Sequence, residues 1–149
     1  MIKEFIDKWN INKGKLEEYF RNTRQEDYAE YEDIVKKIIE IILNANENEY
    51  SYKDNFSIKD LVVIDNGDYQ GTQLFITHLE TYQPDIDDYI ILNNYYGSCS
   101  GCDTLLSISC YDDELPNEQQ IKDYMLLSLH LIQSIKWLDF DKNCKEGAE

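Results

Sequence analysis

Asn66-Gly67 sits between two aliphatic, β-branched runs, "IKDLVVI" at 58–64 and "YQGTQLFITHL" at 69–79. An Asn-Gly pair readily supplies the positive φ angles that a type I′ hairpin turn needs at both central positions. The spacing predicts two antiparallel strands joined through "DNGD" at 65–68. "YIILNNYY" at 89–96 reads as a third strand. The segment before it, "YQPDIDD" at 82–88, reads as a loop, because Pro84 cannot donate to a ladder. An antiparallel sheet of three or more strands therefore occupies residues 58–96.

The flanking sequence has helical period. Ile2, Phe5, Ile6 and Trp9 form one short stripe, "NINKG" breaks it, and Leu16, Tyr19, Phe20 and Thr23 form another. Residues 28–45 carry Tyr31, Ile34, Val35, Ile38, Ile41, Ile42 and Ala45 opposite Asp33, Lys36, Lys37 and Glu40, an amphipathic helix. "NANENEYSYKDN" reads as a loop. "DTLLSISCY" at 103–111 reads as a short helix capped by Asp103 or Thr104. Pro116 suits a first helical turn, so a long helix is predicted over 117–138. Its stripe is Ile121, Met125, Leu129, Ile132, Ile135 and Leu138, widened by Leu126, Leu127 and Leu131. Residues 139–149 read as a frayed polar tail.

These elements make an α+β fold: N-terminal helices (1–46), a central antiparallel sheet, and helices over 103–138, the last packed on the sheet. At 149 residues, with 42% hydrophobic residues and 12 tyrosines, the chain reads as one globular domain spanning 1–149. A disordered acidic tail would lack that apolar content. No run reaches the length of a membrane span. "MIKEFIDKWN" has no apolar stretch after a basic start, unlike a secretory leader. The expected compartment is the cytoplasm, where cysteines are reduced thiols or metal ligands rather than a disulfide framework.

Charge narrows the classes of function. The formal net is −16, and residues 59–115 carry one base, Lys59, against eleven acids, a net of −10. Direct binding to a phosphate backbone needs clustered Lys and Arg, so nucleic acid is not the expected partner. A protein with a basic surface would instead be steered in. The plainer alternative is that the acidity only keeps the chain in solution.

Cys99-Ser-Gly-Cys102 joins the third strand to the following helix, and three readings compete. Two thiolates at this spacing are half a zinc site, but no second C-x-x-C and no H-x₃₋₅-H completes it. Cys110 with His78 or His130 would have no standard spacing. A redox pair fits the strand-to-helix position. Thioredoxin-like chains, however, place it in a βαβ unit, whereas the sheet here is expected to be antiparallel. The third reading is structural: small residues and buried thiols where the chain turns sharply. "GDYQGT" at 67–72 lacks the Lys-Ser or Lys-Thr of a P-loop. "PDIDD" and "YDDEL" offer carboxylates for Ca²⁺ or Mg²⁺ without a glycine-centred loop.

The segments "DNGDYQGTQLFI", "TYQPDIDDY", "YYGSCSGCDTL" and "PNEQQIKDYM", in this order, resemble a family of small phage and prophage proteins of Gram-positive bacteria. The resemblance covers roughly residues 60–138 and carries no assigned catalytic residue. It implies a phage-encoded protein acting in the host cytoplasm. In that setting, carboxylates at loop tips can imitate phosphates and occupy a basic groove.

The expected function is therefore non-enzymatic. The protein would bind and inhibit or modulate a host nucleic-acid-binding protein, such as a defence nuclease targeted by anti-CRISPR proteins. Contacts would come from Asp85, Asp87, Asp88, Tyr89, Asp112, Asp113 and Glu114. The alternative is a thiol-redox or zinc-stabilised module built on Cys99, Cys102 and Cys110. A third reading is a small-molecule or nucleotide-binding counter-defence protein with His78 or His130 beside a Cys and an Asp.

Overall fold

A computed structural model of the chain describes residues 2–26, 29–44, 55–99, 101–108 and 114–147. The α+β architecture is as expected: N-terminal helices, a four-stranded antiparallel sheet and a long helix after it. The strands lie in chain order, β1 (Val62–Asp65), β2 (Gly71–His78), β3 (Tyr89–Tyr96) and β4 (Lys136–Trp137).

The N-terminal segment is one helix, α1 (Lys3–Asn22), not two. Phe5, Trp9, Asn12, Leu16 and Phe20 make one continuous buried stripe. The break expected at "NINKG" rested on Asn12 and Gly14. Asn12 occupies an apolar slot because its Nδ2 donates to Ile42 O at 3.2 Å. Gly14 faces open space.

Ile42 lies in a π-helical turn (Ile39–Leu43) that continues α2 (Tyr31–Ile38). The last carbonyls of a helix have no partner of their own. Here α1 supplies them, with Asn12 on Ile42 O and Lys8 Nζ on Leu43 O at 3.2 Å. Asn12→Ala would leave a buried carbonyl unpaired. It is expected to lower stability by about 1–3 kcal/mol, read from urea unfolding.

The β1–β2 connection differs from a two-residue hairpin. Asp65 pairs with Gln73, and residues 66–70 separate the two strands as a wider loop. The Asn66 side chain accounts for the difference, its Oδ1 accepting the Thr72 N–H at 2.8 Å. Gly67 and Gly71 back onto each other. A Cβ on Gly67 would lie 2.0 Å from Gln70 O, and one on Gly71 would lie 2.9 Å from Gly67 Cα. The glycines thus serve close backbone approach. β1 is also shorter than the strand expected over 58–64.

Phe75 pairs with Leu92, and Thr77 with Ile90, which in turn pairs with Trp137. These five side chains are buried under the helices. The long helix, α4 (Glu118–Ser134), opens on a capping box. Asn117 Oδ1 accepts from Gln120 N, and Gln120 Oε1 accepts from Asn117 N, both at 2.8 Å. Pro116 stands before this cap rather than in the first turn.

The buried face of α4 is Ile121, Tyr124, Leu127, Ser128, Leu131 and Ile132. It is rotated from the expected stripe: Met125 and Leu129 are half-buried and Leu126 is 52% exposed. α4 runs antiparallel to α1, with Phe20 stacked on Tyr124 at 4.9 Å and Arg21 paired with Glu118.

The helix stops at Ser134 rather than at 138, and the chain enters the sheet as β4. Residues expected to fray instead form α5 (Phe140–Gly147). Asn143 ties it down, its Oδ1 accepting from Trp137 N and its Nδ2 donating to Trp137 O, both at 2.7 Å. Among the described residues, no helix is long and apolar enough to cross a membrane.

Candidate functional site

Between β3 and α3 (Thr104–Ile108) the chain turns through Gly97–Asp103. The turn is built on Asp103, which is only 4% exposed. Its Oδ1 accepts from Gly97 N at 2.9 Å and from the Tyr31 hydroxyl at 3.0 Å. Its Oδ2 accepts from Leu106 N at 2.8 Å, so Asp103 is the helix cap as expected. The Tyr31 hydroxyl in turn accepts from Leu105 N at 3.0 Å. Burial above all pushes the Tyr31 phenol up to about 12, which keeps it a hydrogen-bond donor across the neutral range. Gly97 is required by proximity: a Cβ there would lie 2.4 Å from Cys102 O and 2.9 Å from Cys102 Sγ.

Cys99 and Cys102 are free and exposed, not packing residues, and their sulfurs lie 2.9 Å apart. Cys99 N donates to Cys102 Sγ at 3.2 Å, and the Ser98 hydroxyl lies 3.8 Å from it. The Cys102 thiol is held below the ordinary range, first by the hydrogen bond with the Cys99 thiol, then by those with Ser98 and the Cys99 amide. Two thiolates on one tetrahedral zinc, with Zn–S bonds of about 2.3 Å, stand about 3.8 Å apart, wider than this pair.

Among the described residues, no three His, Cys, Asp or Glu side chains come together to hold a metal. Cys110 lies outside the described residues. His78 ends β2, with Nδ1 2.7 Å from Leu79 O and Nε2 3.2 Å from Asp60 Oδ2. His130 is on α4, beside Thr104, Ser107 and Asp123.

The expected acidic contact residues divide into two groups. Asp85 and Asp88 close a 3₁₀ turn (Ile86–Asp88): Asp85 Oδ1 accepts from Ile86 N at 2.7 Å and Asp88 Oδ2 from Asp85 N at 2.9 Å. Asp87 meets Asp139. Its carboxyl is held above the ordinary range, first by a hydrogen bond shared with Asp139, then by desolvation and by the charges of Asp139 and Asp85.

Tyr89 is half-buried against the His78 ring at 5.3 Å. Glu114 is exposed before α4, while Asp112 and Asp113 lie outside the described residues. Leu138 N bonds Tyr89 O, so the 85–88 turn neighbours the chain leaving the C-terminus of α4. Glu114 precedes the N-terminus of α4, about 25 Å away along a helix of 17 residues. Glu114 therefore lies toward the opposite end of α4 from the 85–88 turn.

A pocket of about 380 Å³ opens beside the cysteine turn, its polar side lined by Tyr31, Asp65, Gln73, Tyr96 and Asp103 and its apolar side by Val63, Leu105 and Leu106. The Tyr96 hydroxyl donates to Asp65 Oδ1 at 2.6 Å, and this bond foremost raises the phenol to about 12. The same bond, with the Gly67 amide, holds the Asp65 carboxyl below its usual range. Gln73 Oε1 is buried with no partner among the described residues. Chemically the pocket presents oxygens and protonated phenols. It suits hydrogen-bond donors on a bound group rather than proton abstraction at neutral pH. Its residues come from three separate segments with no sequence spacing to connect them, so sequence reasoning does not find it.

Fold and site together define an acidic α+β domain with an exposed dithiol turn. Comparison with family models, with curated proteins and with solved structures finds no match to this chain.

Proposed function

We propose that this chain is a phage-encoded, non-enzymatic binding protein that occupies the nucleic-acid-binding surface of a host protein. The observation that carries this reading is the end of the molecule where Asp87, Asp139 and Asp85 crowd together. Lys142 Nζ, 3.1 Å from Asp87 O, offsets part of their mutual repulsion; the remaining negative charge favours an approaching cation, and a basic groove supplies several. Apolar side chains stand among these carboxylates. Ile86 and Phe140 are 57% and 76% exposed, and Tyr82, in the same loop as Asp85, is 97% exposed. Aromatic anchors ringed by charge are the usual make-up of a strong contact. The resemblance of four segments to phage proteins supports the host setting.

The test is capture from nuclease-treated host lysate at low and raised salt, comparing the native chain with Glu80→Lys/Asp87→Lys. Glu80 follows β2, next to Leu79, whose N bonds Asp88 O. The two changes spare the Asp85 and Asp88 carboxylates that close the turn. The native chain is expected to retain a nucleic-acid-binding protein, to lose it as salt rises, and to lose it to added DNA or RNA. The double variant, folded by circular dichroism, should retain at least tenfold less. Capture that ignores both the variant and the competitor would refute the reading.

A further inference from the structure

We propose that Cys99 and Cys102 form a redox-active dithiol that cycles to an intramolecular disulfide by exchange with low-molecular-weight disulfides, with Cys102 as the attacking sulfur. This rests on the turn alone and is independent of the docking reading.

The turn holds the two sulfurs ready. Its ends are fixed by Gly97 N on Asp103 Oδ1, and by Cys102 N and Asp103 N on Cys99 O at 3.0 and 2.9 Å. The sulfurs at 2.9 Å must close to about 2.05 Å, a shift of less than an ångström. Side-chain rotation covers that distance without unseating the backbone. Both thiols are exposed, so a small disulfide reaches them.

The surroundings distinguish the two sulfurs. Cys102 Sγ faces the Cys99 amide, the Cys99 thiol and the Ser98 hydroxyl, all of which stabilise a thiolate. The attacking group in thiol–disulfide exchange is the thiolate, so Cys102 acts first. Its sulfur attacks one sulfur of R–S–S–R, forms the mixed disulfide, and releases RS⁻, which takes up the proton Cys102 gave up. Cys99 then loses its proton and attacks Cys102 Sγ, releasing the second R–SH. Two protein thiols and one small disulfide become one protein disulfide and two small thiols. The small disulfide receives both electrons.

The experiment equilibrates the full chain with glutathione buffers of rising disulfide content, blocks free thiols with iodoacetamide and maps the peptides. The expected product is one peptide with a Cys99–Cys102 link, while Cys144, also exposed, is alkylated. Cys99→Ser keeps a donor beside Cys102 and should accumulate a Cys102–glutathione adduct, formed several-fold faster than the adduct at Cys144. Cys102→Ser should leave Cys99 reacting no faster than Cys144. A Cys102–Cys110 link, or no link in fully oxidised buffer, overturns the proposal. So do Cys102 and Cys144 reacting at equal rates in Cys99→Ser.

Discussion

Replacing Asp103 with alanine is expected to destabilise the fold by about 2–6 kcal/mol, the cost of leaving two buried hydrogen-bond donors unmet. The carboxylate accepts three bonds, from Gly97 N, Leu106 N and the Tyr31 hydroxyl. Alanine removes the acceptor of two buried donors, Gly97 N and the Tyr31 hydroxyl, and each buried donor left unmet costs about 1–3 kcal/mol. The Tyr31 phenol cannot escape by ionising at neutral pH, because burial holds it near 12.

Asp103→Asn keeps one accepting oxygen and is expected to lose roughly half as much. The shift in urea midpoint, at constant slope, measures both. An alanine variant within about 1 kcal/mol of the native chain would show that water replaces the carboxylate. The same variant frees the turn from its anchor, so Cys99 and Cys102 should also form their link more slowly.

Trp137→Ala is expected to cost about 3–5 kcal/mol, the usual toll of deleting a large buried aromatic. The ring is 4% exposed and lies 5.5 Å from Phe5 and 5.9 Å from Phe56. On its other side Lys142 Nζ stands 3.4 Å from the ring centroid. The residue thus joins α1, the sheet and α5 at one point. Its loss opens a cavity that Phe5 and Phe56, already packed, cannot fill. Trp137→Phe should recover most of the stability. If alanine and phenylalanine prove equivalent in thermal unfolding, the ring is not the joint described.

Several of these features are readable from residue order and others are not. β3 is read to the residue, because a run of Ile, Tyr and Asn between a proline loop and a glycine turn leaves few options. Asp103 or Thr104 is read as a cap from its place at the start of a short apolar helix, and the structure gives the role to Asp103. Its other two partners are not: Tyr31 lies on a distant helix, and only the folded chain brings a phenol to that carboxylate. α1 is misread because a buried Asn looks like a break until its carbonyl partner on the neighbouring helix is known. The wide β1–β2 loop is hidden because Asn66 caps it through its side chain, a use of Asn-Gly that mimics the hairpin signal. β4 has two residues, too few for any period to register, and only its pairing with Ile90 and Ile91 defines it. Without β4, the docking of α5 has no visible cause.

The joint between α1 and β4 also sets when the molecule can be finished. On a ribosome, Phe5 and Trp9 emerge well before Trp137, the residue on which Phe5 packs. At synthesis rates of about 5–20 residues per second, Phe5 waits roughly 7–26 seconds for this partner. The β2–β3 pair, made from neighbouring sequence, can form in the meantime and serve as a platform. The clasp between α1 and β4 therefore stays open until Trp137 has left the exit tunnel. Any stall before residue 137 would leave the Phe5 end of α1 available to chaperones.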